Sequence, residues 1–175
     1  DKEEIGNMGA TGMQSSFFED MVAEVLALTG EDSPVKVRRV LRNSCMLSSD
    51  VSAAYDPLYP EVFEKKNTAY FGRGLVLNKY TGSRGKNGTS DANAEYVAKV
   101  RNVFDNNHVA FQTAELGKVD QGGGGTIAYV MANKAMSVID SGVAVLSMHA
   151  PYEVTSKSDV YEVYLGYKAF LKDMK

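Results

Sequence analysis

The sequence predicts an α/β protein, with helices on both faces of a central mixed sheet. Three observations lead there. Helical patterns alternate with short strand-like runs along the whole 175-residue chain, the order that layered α/β domains require. The strand-like runs do not alternate cleanly between apolar and polar residues, as expected when both faces of a sheet are covered. Hydrophobic residues make up 44% of the chain, which supplies a core and argues against intrinsic disorder.

The first helix is predicted from Gln14 to Leu28, where Phe17, Phe18, Met21, Val22, Val25 and Leu28 recur at helical spacing. Ser16 and Glu19 have capping-box spacing, and Gly30 supplies a stop. A second helix starts at Ser33-Pro34, a cap followed by proline at the first helical position. Its stripe is Val37, Val40 and Leu41, and Lys36, Arg38, Arg39 and Arg42 form a solvated basic face. Cys45 to Val51 and Gly74 to Tyr80 read as strands, separated by the irregular YDPLYPEVFEKKN. A helix from Ser90 to Asn106, a strand from Val109 to Thr113 and a short helix from Thr126 to Ala135 follow. Two apolar runs, 138–140 and 143–148, precede a closing amphipathic helix from Ser158 to Lys172.

Charge and composition exclude several classes. A net charge of −3 argues against a protein built to bind nucleic acid or an anionic membrane. No apolar stretch approaches the ~20 residues that span a bilayer. Cys45 is the one cysteine, so an intramolecular disulfide is excluded and a reducing compartment, the cytoplasm, is the simplest setting. The chain opens on DKEEIG without an initiator methionine, as though cut from something larger.

Four places depart from what packing asks for. Glu3-Glu4 is either a surface pair or, around a cation, a metal ligand beside a proton acceptor. Asp50, ending the run SSD, is either a turn-former or a residue at the strand end where open α/β sheets bind ligands. Four consecutive glycines, 122–125, precede a helix; they make either a flexible loop or one whose backbone closely approaches an anion or carbonyl. No Lys-Ser/Thr follows them, so this is not a P-loop. His149 closes a long apolar run and is either a satisfied core residue or a ligand at a strand end. His108 reads as a connector.

The segments DKEEIG, LSSDVSAAYDP, DQGGGGTIA and VLSMHAPYE, in this order and separation, resemble the aspartyl-aminopeptidase family of dinuclear zinc exopeptidases. The resemblance covers the chain but only the C-terminal part of a typical member's catalytic domain. It implies a zinc-exopeptidase-like sheet, incomplete on its N-terminal side, with the intersubunit domain and upstream strands lying outside residues 1–175. It implies Glu3 as general base, and Glu4, Asp50 and His149 as ligands to two divalent ions, zinc by preference, with cobalt or manganese possible for such donors. Gly123, Gly124 and Gly125 would face peptide substrates, and the parent would be a homo-oligomer. Two further family ligands, a histidine and a bridging aspartate, have no match here, so the chain by itself is expected to be weak or inactive. The alternative is a non-catalytic scaffold or interaction fragment. Acid-specific relatives carry histidines where this chain has Ala53 and Asp56; a carboxylate at Asp56, beside the substrate side chain, implies a neutral or basic preference.

Overall fold

The computed structural model describes residues 2–82, 90–118 and 120–175, with the side chains of Lys2 and Glu3 outside that set. The helices are α1 (Lys2–Ile5), α2 (Phe17–Leu28), α3 (Pro34–Arg42), α4 (Ala94–Asn106), α5 (Ala128–Ala132) and α6 (Lys157–Asp173). The strands are β1 (Cys45–Ser49), β2 (Ser52–Ala53), β3 (Leu75–Asn78), β4 (Phe111–Thr113), β5 (Ser137–Gly142), β6 (Ala144–Leu146) and β7 (Val154–Thr155).

Among the described residues, two mixed sheets stand where one was expected. The larger has the order β1-β5-β3-β4; β1 runs parallel to β5, and β3 pairs antiparallel with β5 and parallel with β4. The smaller has the order β2-β6-β7. The predicted strand from Cys45 to Val51 is thus interrupted at Asp50, where β1 gives way to β2, while β5 gives way to β6 beside it. Backbone bonds carry the pairing across the break, with Asp50 N–H donating to Ser141 O (3.1 Å) and Ser52 N–H to Val143 O (2.9 Å).

Successive side chains of a strand point to opposite faces, and β5 shows why both faces need helices. Ile139 joins Leu75, Leu77, Val100, Phe104 and Ala169 under α4 and α6, while Val138 joins Ala128, Val130 and Met131 around α5. Phe104 is fully buried. Helix α6 comes so close to β3 that a Cβ on Gly166 would lie 2.7 Å from Leu75 Cδ1.

Local signals explain the starts of α4 and α6. Asn93 Oδ1 accepts from Tyr96 N–H (2.8 Å) and caps α4, and Ser156 Oγ accepts from Asp159 N–H (3.5 Å) and caps α6. The capping box expected at Ser16 does not form. Its backbone is helical (φ −72°, ψ −8°) and its hydroxyl accepts no cap bond; Ser15 Oγ instead accepts from Phe17 N–H at 3.3 Å. Helix α2 lies against α3, yet none of its residues is buried. Its apolar stripe of Phe17, Met21, Val25 and Leu28 is uncovered by any described element, Leu28 being 89% exposed.

The irregular segment before β3 is held by aromatic packing. The Tyr55 ring lies 5.6 Å from Phe63 and 5.3 Å from Tyr70. At its end, buried Asp159 on α6 accepts from Gly72 N–H (2.8 Å) and Gly74 N–H (2.9 Å).

Candidate active site

Asp50 sits at the interruption between β1 and β2, and its neighbours explain why the chain turns there. A Cβ on Gly142 would lie 1.6 Å from Asp50 O and 2.6 Å from Asp50 C. Only a glycine allows the two strands to approach this closely. The Asp50 carboxylate accepts from Val51 N–H at 2.7 Å. Burial raises its pKa above the ordinary carboxylate value; the Val51 bond opposes this, Glu4 adds to it and His149 opposes it. A half-buried carboxylate with another carboxylate and an imidazole close by has the electrostatics of a cation site.

His149 follows β6 in a tight turn where both Ser147 (φ 58°) and His149 (φ 66°) are left-handed, closed by Ala150 N–H donating to Ser147 O (2.9 Å). Such backbone strain in a non-glycine residue is uncommon and recurs at functional sites. Its N–H donates to Glu153 Oε1 at 2.5 Å. Its Nδ1 lies 3.5 Å from Glu4 Oε1, and both side chains remain about two-thirds exposed.

Glu4, Asp50 and His149 line one cleft of about 530 Å³, together with the glycine loop, Val62, Phe63, Leu116, Thr126 and Met148. The four glycines do different things. Cβ atoms on Gly122 and Gly123 would lie 2.9 Å from Lys118 N and 1.9 Å from Gly82 O, and Gly123 is left-handed at φ +120°. These two are demanded by packing within the protein. At Gly124 a Cβ would meet only Leu116 Cδ1 at 3.4 Å, and at Gly125 it would meet nothing within 4 Å. Those two have open space beside them.

The structure thus brings Glu4, Asp50, His149, Gly123, Gly124 and Gly125 to one cleft. Glu3 lies beside Glu4 on α1, and its side chain is outside the described residues. Asp56 is not brought there. Its carboxylate accepts from Leu58 N–H at 2.8 Å and forms a local turn, and Asp56 is absent from the cleft lining. The charge argument for substrate preference therefore loses its residue.

Three contributors escaped the sequence reading. Gly142 is signalled only by an unremarkable Ser-Gly. Tyr167 on α6 has its hydroxyl 2.7 Å from Ser141 O and 2.8 Å from Ser49 Oγ, bracing the strand ends next to Asp50; burial raises its pKa. Asp140 on β5 is buried, and burial pushes its pKa up to about 6 against the hydroxyls of Thr126, Ser48 and Thr81, with Asp50 adding to the rise. Its one sequence signal is a charged residue closing the apolar run 138–140.

Two carboxylates and an imidazole suit a zinc ion in donor chemistry. Among the described residues, no three His, Cys, Asp or Glu side chains close into one metal-holding group. Glu4, Asp50 and His149 form a shared wall rather than a finished coordination shell.

This α/β scaffold, with Asp50 after β1, His149 after β6 and Glu4 on α1 lining one cleft, matches the class of zinc metalloproteases. The family model for aminopeptidase I zinc metalloprotease (M18) matches residues 1–171, and the chain belongs to this family. It is 61% identical over 173 residues to a probable M18 family aminopeptidase 1 of Clostridium acetobutylicum, covering 99% of this chain and 37% of that protein. The crystal structure of aminopeptidase I from that organism superposes with a TM-score of 0.87, over 98% of this chain and 36% of that one. The M18 aminopeptidase structure from Thermotoga maritima, at 45% identity, gives a TM-score of 0.93 over 98% of this chain and 38% of that one. A dodecameric structure of Saccharomyces cerevisiae aminopeptidase 1, at 26% identity, gives 0.75 over 98% and 36%. The chain spans a little over a third of the length of these bacterial relatives.

Proposed function

We propose that the polypeptide carrying this chain is a metal-dependent aminopeptidase, a hydrolase that releases N-terminal amino acids from peptides. One observation carries the reading: Glu4, Asp50 and His149, from three distant segments, line one cleft that also holds the glycine loop. Glu4, Asp50 and His149 would hold two divalent ions, completed by ligands outside this chain; the donors suit zinc and also admit cobalt or manganese. When bound, such ions supply Lewis acidity that activates water near neutral pH and polarises the scissile carbonyl. Glu3, adjacent to Glu4, takes the proton from water and delivers it to the leaving amine. Gly124 and Gly125 leave room for the substrate backbone.

The walls of the cleft support an uncharged first residue. Val62, Phe63, Leu116 and Met148 contribute apolar surface, and no described Lys or Arg lines it. The dodecameric yeast relative supports a homo-oligomeric parent. The single thiol supports residence in the reducing cytoplasm.

The test uses the full polypeptide. Zinc content is measured, and hydrolysis of an aminoacyl-anilide panel is followed before and after chelation, with zinc restored. His149→Ala is expected to lose at least about 100-fold in activity, a ligand mattering no less than its supports. Turnover that survives both chelation and His149→Ala overturns the reading. A second reading, a non-catalytic scaffold or interaction fragment, is favoured by the unclosed donor group among the described residues. Peptide binding without cleavage by the zinc-loaded polypeptide supports it. This chain alone, with no complete donor set among its described residues, is expected to turn over weakly or not at all.

A further inference from the structure

Near the cleft lies a buried polar cluster that the chemistry above does not use. Asp140 is 4% exposed, Ser48 5%, Thr81 2% and Thr126 7%. Asp140 and Ser48 are register partners on β5 and β1. Thr81 Oγ1 donates to Asp140 Oδ2 at 3.4 Å and lies 3.4 Å from Thr126 Oγ1. Asp140 Oδ1 makes no hydrogen bond among the described residues, and no described cation pairs with this carboxylate. A buried carboxylate without a cation is costly. As packing, an aliphatic side chain would serve better.

What the cluster holds is the glycine loop. Thr126 ends that loop and lines the cleft, and its Oγ1 accepts from Ala128 N–H at 3.3 Å, at the start of α5. Next to Thr81, Gly82 N–H donates to Gly124 O at 2.9 Å. Both ends of the Gly124–Thr126 stretch are therefore held from segment 81–82, and the buried Thr81 hydroxyl of that segment is anchored on Asp140.

We propose that Asp140 is a positioning residue for peptide hydrolysis. Through Thr81 and Thr126 it sets the Gly124–Thr126 backbone relative to Glu4, Asp50 and His149, holding the substrate's first residue in line with the reacting groups. The proposal rests on the aminopeptidase reading of this cleft. A role confined to stability would lower the melting temperature and leave the substrate's KM unchanged. Positioning shows in KM and in the motion of the loop.

The experiment compares wild type, Asp140→Asn, Asp140→Ala, Thr81→Val and the Asp140→Ala/Thr81→Val pair in the full zinc-loaded polypeptide. An aminoacyl-anilide is the substrate, and zinc content is measured for each variant. Asparagine keeps the shape and one acceptor, so its KM should stay within about 3-fold of wild type. Alanine at 140 and valine at 81 should each raise KM roughly 5- to 10-fold, the scale of one lost buried hydrogen bond, with zinc content unchanged. The pair should be little worse than either single change, because both break one relay. Hydrogen exchange of amides 122–128 should quicken in the alanine and valine variants, a readout independent of turnover. If Asp140→Ala does not fold, Asp140→Asn and Thr81→Val carry the same comparison. Unchanged KM and unchanged exchange in Thr81→Val overturn the proposal, as does full additivity in the pair. A wild type that hydrolyses nothing defeats the aminopeptidase reading instead, and the exchange arm still decides whether Asp140 holds the loop.

Discussion

Replacing Gly142 with alanine puts the geometry of Asp50 to a direct test. The new Cβ would lie 1.6 Å from Asp50 O and 2.6 Å from Asp50 C, whereas unstrained carbon contacts sit near 3.5–4.0 Å. Both colliding atoms are backbone, so no rotamer change relieves the clash. The β1–β2 and β5–β6 junctions must separate by more than an ångström, breaking the bonds Asp50 N–H to Ser141 O and Ser52 N–H to Val143 O. Overpacking of this kind costs about 1–3 kcal/mol. Two lost backbone hydrogen bonds add about 1 kcal/mol each. A total near 3–5 kcal/mol corresponds to a fall of roughly 6–20 °C in the melting temperature of a unit of this size. The displacement of Asp50 should also weaken zinc binding, measured by competition with a chromophoric chelator. Gly125→Ala is the control, since a Cβ there meets nothing within 4 Å; its melting temperature should move by less than about 2 °C. If Gly142→Ala melts with wild type and binds zinc equally well, the account of how Asp50 is placed is wrong.

Asp159→Ala leaves the amides of Gly72 and Gly74 without their acceptor and should cost about 2–4 kcal/mol in urea unfolding; a loss under 1 kcal/mol would show that water replaces it freely. Tyr167→Phe removes the hydroxyl shared by Ser141 O and Ser49 Oγ, for an expected loss of about 1–2 kcal/mol by the same assay. The raised pKa of Asp140 makes stability depend on pH with a definite sign. Its folded value of about 6 lies above the ordinary 3.8, so the folded state binds the proton more tightly than the unfolded one. Its contribution is fully present below about pH 4 and is lost as pH rises through about 6, by at most roughly 3 kcal/mol. Asp140→Asn should flatten that part of the urea-midpoint profile between pH 4 and 6.5, and an unaltered slope assigns it to another group.

Much of the fold was legible residue by residue. The stripes on α3, α4 and α6, the proline opening α3 and the apolar runs of β3 and β5 each act over a few neighbours, where local rules apply. Ser16 shows how such a rule fails: its spacing to Glu19 suited a cap, but its backbone had already entered the helical region. The stripe on α2 was readable and its exposure was not, because a stripe does not name what covers it. At the site, Glu4, Asp50 and His149 entered through a motif resemblance, since 45 and 98 intervening residues leave no local pattern. Asp56 failed because a carboxylate's direction depends on the turn it caps. Gly142 and Asp140 were hard to read for a related reason: each matters through residues distant in sequence, Asp50 for the one and Thr81 for the other.

The unequal glycines of the loop carry a consequence for engineering. Gly122 and Gly123 are closed to any side chain by the neighbouring backbone, while Gly124 and Gly125 have room for one beside the same cleft. A library confined to those two positions would install new functional groups on the wall of the cleft and leave the scaffold's joints intact. The number of productive sites for redesign in this loop is thus two, and they are adjacent.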